Sequence, residues 1–209
     1  MATEDSRRLS ADDRREQILA AASVVFGERG YAGGTTDAIA REAGISQAYV
    51  VRMFGSKERL FRATAERAAI KVREAFIREL DALGDGASRE DTQRALGGAY
   101  AGLMADRGLL LSLLHLFSQG HDETLAPVAR GCFLDIYRLV RERGGMSGEQ
   151  ATAFFAQGML MTVLFAMRMP DAAGDADAQE LMACAFGEKR DELIQLGLLH
   201  EPLDRAPRS

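Results

Sequence analysis

The sequence predicts an all-α protein of about nine helices: a small N-terminal head, a long linking helix and a larger helical body. Three observations carry that expectation. Ala, Leu, Met, Arg and Glu dominate a chain of 209 residues with only four prolines, a composition that favours helix throughout. Apolar residues recur at helical spacing in one segment after another, and no segment alternates as a strand does. Several of these runs open on a hydroxyl residue, and several close on glycine. At 47% hydrophobic and 27% charged, the chain is globular in composition.

The elements follow in order. Ser10 with Asp13 forms a capping-box pattern, so a first helix starts there and carries Ile18, Ala22, Val25 and Phe26 to a stop at Gly30. Gly33 and Gly34 make a loop, and either Thr35 or Thr36 caps a second helix. Gly44 ends that helix and Ser46 caps a third over about 46–53. Ser56 caps a fourth, which runs past Leu60, Phe61, Ile70 and Phe76 to about Leu83 and is long enough to link a head to a body. Gly84-Asp85-Gly86 is the clearest break. Beyond it come a helix over 88–105, an apolar segment over 108–118 and a helix from about 122, in which Pro127 fits only near the start. Gly144-Gly145 ends that one, and Ser147 with Gln150 opens another from 148. Pro170 closes it, and a last helix spans about 177–197 before a polar tail.

Residues 35–59 are the most informative stretch. Val50 and Phe54, four apart, face inward from the third helix and leave Gln47, Tyr49, Arg52 and Met53 outward. A short helix after a tight turn, with an amide, a phenol and a guanidinium outside, suits a DNA major groove. The net charge of −5 argues against nucleic acid, but its distribution is uneven. Residues 1–80 hold 14 Lys and Arg against 12 Asp and Glu, and residues 81–209 hold 12 against 19, so the small basic surplus lies with this stretch.

This N-terminal region resembles the tetracycline-repressor (TetR) family of bacterial regulators. The resemblance rests on Ile18-Leu19, Ala22, Phe26, Gly30-Tyr31, Thr35-Thr36, Ile39-Ala40, Ala43-Gly44-Ile45-Ser46, Phe54, Ser56-Lys57-Glu58 and Leu60, and covers about residues 12–72. It implies a helix-turn-helix DNA-binding domain over 12–72, with the motif at about 35–54, and an effector-binding and dimerisation domain over 85–200. It implies a homodimer on a palindromic double-stranded operator, released by a small-molecule effector, with 148–169 and 177–197 at the dimer interface. Within it, Thr35 and Thr36 suit a phosphate, Gln47 an adenine edge, Arg52 guanine or a phosphate, and Lys57 a phosphate; Ala48 and Tyr49 complete the surface, and Arg41 is a weaker candidate. The chain departs from the family pattern at Ala48, Val51 and Met53, where Gly or Pro, Tyr, and His or Tyr are usual.

Candidate lining residues for the effector pocket are Tyr100, Met104, Leu113, His115, Phe117, Phe133, Tyr137, Phe155 and Met159. Few charges fall on the apolar stripes, so a neutral, largely apolar effector is expected. From Ala151 to Met167 no residue is charged. That run is too short for a membrane span, contains Gln157, Gly158 and Thr162, and lacks basic flanks, so it is expected to bury several faces in protein. No metal-ligand spacing joins His115, His121, His200, Cys132 and Cys184, both cysteines being expected as small buried residues. Paired carboxylates, a nucleophile triad and a phosphate-cradling glycine loop are all missing, so neither catalysis nor a cofactor is expected. The charged first fifteen residues lack an apolar leader segment, and the expected location is cytoplasmic.

Overall fold

The computed structural model describes residues 10–187 other than Asp85, Arg107 and Ala173. Among them are α1 (Ala11–Gly33), α2 (Thr36–Glu42), α3 (Gln47–Phe54), α4 (Lys57–Leu83), α5 (Arg89–Gly102), α6 (Leu109–Phe117), α7 (Leu125–Glu142), α8 (Gly148–Ala166) and α9 (Ala176–Phe186). Short 3-10 turns at Leu103–Ala105 and Met169–Ala172 follow α5 and α8. The fold is all-helical, as the sequence predicts.

Local chemistry sets most boundaries. Ser10 and Asp13 form the expected capping box on α1, as do Ser147 and Gln150 on α8. Thr35 is the cap of α2, accepting from the Ala38 N–H, and Thr36 is the first helical residue. Gly30, at φ 66°, breaks α1 where a stop is expected, but one further turn carries it to Gly33. The 88–105 segment tightens into 3-10 geometry at Leu103 rather than staying α-helical. Pro127 sits in the first turn of α7, where its missing N–H has no intrahelical acceptor in any case. The last helix is described to Phe186; residues 188–197, expected to extend it, and the polar tails lie outside the described residues.

One apolar core runs through head and body. In the head, α1, α2, α3 and α4 bury Ile18, Val25, Phe26, Ile39, Val50, Leu60 and Phe61, with Phe26 and Phe61 edge to face at 5.0 Å. α4 then continues as a spine against α5, α6 and α7. α1 also packs on α6, so the head meets the body along two helices rather than one. At that junction Arg67 of α4, almost fully buried, donates through Nε to Glu16 Oε1 of α1 at 2.7 Å.

That pair makes stability depend on pH. The Arg67 hydrogen bond holds the Glu16 carboxyl below its ordinary value of 4.5, against an opposing effect of burial. A lowered carboxylate pKa stabilises the fold above the unfolded value, and the stabilisation is lost as pH falls through the folded value. Arg67→Met should therefore lower the urea midpoint at neutral pH and narrow its difference from wild type as pH falls below about 4.5. Parallel midpoint curves for the two proteins would contradict this.

Candidate functional site

The turn between α2 and α3 is built by a Schellman motif. Ile45 N–H donates to the Ala40 carbonyl at 3.0 Å and Gly44 N–H to the Arg41 carbonyl at 3.1 Å, with Gly44 at φ 64°. The Gln17 amide reaches over from α1 to the Ala43 carbonyl at 2.7 Å and holds the turn against the head. Ser46 then caps α3 by accepting from the Tyr49 N–H. α3 buries Val50 and Phe54 and leaves Gln47, Ala48, Val51 and Arg52 exposed, with Tyr49 and Met53 half-buried.

The outward side chains are held by one another. The Arg52 guanidinium lies over the Tyr49 ring, 4.7 Å from its centroid, so the two form one unit. Gln47 Nε2 donates to Thr36 Oγ1 at 3.0 Å, which ties the start of α3 to the start of α2 and leaves the amide oxygen uncommitted to that bond. Lys57 donates to the Ala32 carbonyl at 3.1 Å and sits over the Tyr31 ring at 4.8 Å. An ammonium carries three donors, so this seat holds the charge against the last turn of α1 while leaving hydrogens beyond the one given to Ala32. Arg41 pairs with Asp37 at 3.3 Å on α2. Thr35, Thr36, Gln47, Ala48, Tyr49, Arg52 and Lys57 thus share one end of the molecule. The Ala32 carbonyl, a backbone atom with no sequence signal, is the member that sequence reasoning missed.

In the body, α4, α5, α6, α7 and α8 enclose an apolar cavity of about 50 Å³. Tyr100, Leu113, Phe117, Phe133, Phe155 and Met159 line it, together with Phe76, Phe154, Ile136 and Thr162, which were not singled out from sequence. Phe133 meets Phe117 edge to face at 5.4 Å and Phe155 at a tilt at 5.0 Å, making a nearly continuous aromatic wall. Three expected residues lie elsewhere. Tyr137 packs behind the wall on Phe155, and Met104 lines a second cavity of about 300 Å³ between α1, α6 and the end of α8. His115 is turned away: its Nε2 meets the Gly27 carbonyl of α1 at 3.2 Å, because its side of α6 packs on the head. Leu110 and Thr162 line both cavities.

The uncharged run has its physical reason in α8. Phe154, Phe155, Gly158 and Met159 face the cavity, while Ala153, Ala156, Leu160 and Met167 form an exposed stripe on the other side. Leu181 and Cys184 of α9 are exposed as well, so Cys184 is not the buried residue expected. Cys132 is half-buried, and burial, with Glu66 and Asp135 nearby, pushes its thiol up to about 11. Among the described residues no cluster of His, Cys, Asp and Glu could hold a metal, and no helix is long and apolar enough to cross a membrane.

Comparison with known proteins agrees with this geometry. Residues 18–64 match the family described as bacterial regulatory proteins, tetR family. Over 60 residues the chain is 45% identical to the HTH-type transcriptional activator FasR of Mycolicibacterium smegmatis, covering 29% of this chain and 27% of that protein. Over 87 residues it is 32% identical to the HTH-type transcriptional regulator BetI of Klebsiella pneumoniae, covering 42% of this chain and 45% of that protein. The matches therefore span less than half of either relative. A TetR-like transcriptional regulator from a Rhodococcus species shares the fold at a TM-score of 0.58 and 23% identity, over 91% of this chain and 97% of that one. The fatty acid degradation regulator FadR from Bacillus halodurans does so at 0.54 and 20%, over 89% and 98%. Residues 18–64 thus carry the signature of the tetR family of bacterial regulatory proteins, and over nine-tenths of its length the chain shares the fold of a TetR-like transcriptional regulator.

Proposed function

We propose that this protein is a dimeric, ligand-responsive transcriptional regulator that acts in the cytoplasm, a repressor released from a palindromic operator by a small, largely apolar molecule. The observation that carries it is the outer face of α3, where Arg52 lies over the Tyr49 ring and Gln47 is tied to Thr36, with Lys57 held at the start of α4. Residues 12–72 are the DNA-binding unit and 85–200 the effector-binding and dimerisation unit. Gln47 and Arg52 read base edges, Tyr49 packs on a thymine methyl, and Lys57 with Thr35 and Thr36 grips phosphates.

A dimer reading a palindrome needs its two α3 helices about 34–36 Å apart. The outer stripe of α8, with α9, supplies an apolar surface for that pairing, and the aromatic-walled cavity supplies the effector site. Because α4 lines the cavity through Val72 and Phe76 and begins at Lys57, a bound effector that displaces it changes head separation. Release then requires the effector to favour the non-binding arrangement.

A shift assay on the upstream DNA over a range of salt tests the reading. Lys57→Ala should weaken binding on all sequences alike and lower the salt slope by about 1. No shift at any salt would sink it. One observation favours a second sign of control: the most similar head region reported above belongs to an activator. A reporter behind the operator, with and without the protein, separates activation from repression.

A further inference from the structure

The effector cavity has two polar side chains on its otherwise apolar wall, Tyr100 and Thr162. Their hydroxyl oxygens are 2.7 Å apart. The close contact is made possible by Gly158, where a Cβ would lie 3.3 Å from the Tyr100 ring, so that the ring lies against the backbone of α8. Thr162 also lines the second, larger cavity, so the hydroxyl pair stands where the two chambers meet.

Counting hydrogens assigns the roles. A threonine hydroxyl carries one hydrogen. Thr162 Oγ1 donates it to the Gly158 carbonyl at 3.0 Å, one turn back along α8. The Tyr100–Thr162 contact therefore has Tyr100 donating and Thr162 accepting. Burial, the largest influence, pushes the Tyr100 phenol above its ordinary value, so the group keeps its proton at neutral pH. Both hydrogens are then used within the wall. What remains toward the cavity is lone pairs: the Tyr100 oxygen has acceptor capacity, and the wall has no side-chain donor.

From this we infer that the cavity selects an uncharged, mostly apolar molecule carrying a hydrogen-bond donor, an alcohol, phenol or N–H, and disfavours ethers, ketones and esters that only accept. The inference rests on the proposal that this cavity is the effector site. An acceptor placed against the pair would set lone pair against lone pair in an apolar enclosure, whereas a donor completes the chain ligand → Tyr100 → Thr162 → Gly158 carbonyl. A carboxylate would meet the same lone pairs with a full charge and no partner on this wall.

The test uses three probes of one skeleton: 4-propylphenol, its methyl ether 4-propylanisole, and propylbenzene. Calorimetric titration of the full chain should give binding of the phenol about tenfold tighter than of the ether. Thr162→Val, nearly isosteric, removes the acceptor that takes the Tyr100 hydrogen and frees that hydrogen for the cavity, so the ether should gain affinity and the preference should shrink or reverse. Tyr100→Phe should reduce the phenol to the level of propylbenzene, as a second variant at the other end of the pair. Equal binding of all three probes by the wild type, or a phenol preference unchanged in Thr162→Val, would overturn the donor requirement while leaving the cavity as a ligand site. Binding of none would remove the cavity reading and this inference with it.

Discussion

Gly108→Ala should melt about 6–12 °C below the wild type, a loss of about 3 kcal/mol. Two costs act together at this residue. Its φ of 75° lies in the left-handed region, where a Cβ adds about 1–2 kcal/mol. Its Cβ would also stand 2.0 Å from the Ser23 carbonyl oxygen and 3.1 Å from the Val24 Cα. Those are backbone atoms of α1, which cannot rotate aside. On the opposite side, a Cβ on Gly27 would fall 2.5 Å from the Gly108 Cα. The two glycines therefore let α1 of the head and α6 of the body cross at backbone contact, and alanine would have to push the helices apart. That would also strain the His115–Gly27 hydrogen bond, which spans the same two helices. The readout is a thermal or urea transition. A melting point within about 2 °C of wild type would mean that the crossing gives way at little cost.

Leu160→Glu should convert the proposed dimer to monomers and lower operator affinity by about 100-fold or more. Leu160 is 38% exposed at the middle of the uncharged α8 stripe, with Met167 57% exposed toward its end. In a single chain these side chains meet water, and against a second copy they would be covered. A glutamate carried into that apolar interface has no partner and must be desolvated. In the monomer it remains in solvent, so the protomer should fold and melt normally. The affinity loss follows because two linked heads bind a palindrome far more tightly than one, by a factor of about 10²–10⁴. Sedimentation and the shift assay together read the result. A Leu160→Glu protein that stays dimeric would place the interface elsewhere on the molecule.

Much of the fold was legible because its signals are local. The capping boxes at Ser10 and Ser147 each close within three residues, and the Gly44 turn is made by bonds between neighbours. The inward direction of Val50 and Phe54 follows from helical spacing, and that in turn leaves Gln47, Ala48 and Arg52 outside. Where local signals tie, sequence alone stops short. Thr35 and Thr36 are equally able caps, and the hydrogen bond to the Ala38 N–H assigns Thr35. At Gly30 a stop was readable, but not the extra turn to Gly33.

The site was legible in part for the same reason. Aromatic residues of one helix face could be nominated for the cavity, but which helix meets that face could not. His115 is one position from Leu114 on α6, yet Leu114 borders the cavity and His115 binds α1. Lys57 reads as a phosphate clamp in sequence. In the structure its first partner is a backbone carbonyl, Ala32, 25 residues earlier in the chain.

By itself, the sequence determined an all-helical fold, a tetR-type signature in its head and a third helix with a polar outer face, because helix periodicity, capping and turn chemistry act within a few residues. Only the tertiary structure decided that Gly27 and Gly108 bring head and body into backbone contact, and that Tyr100 and Thr162 pair across the cavity. These contacts join residues 81 and 62 positions apart, and which faces meet at that separation is settled by the packing of the whole core.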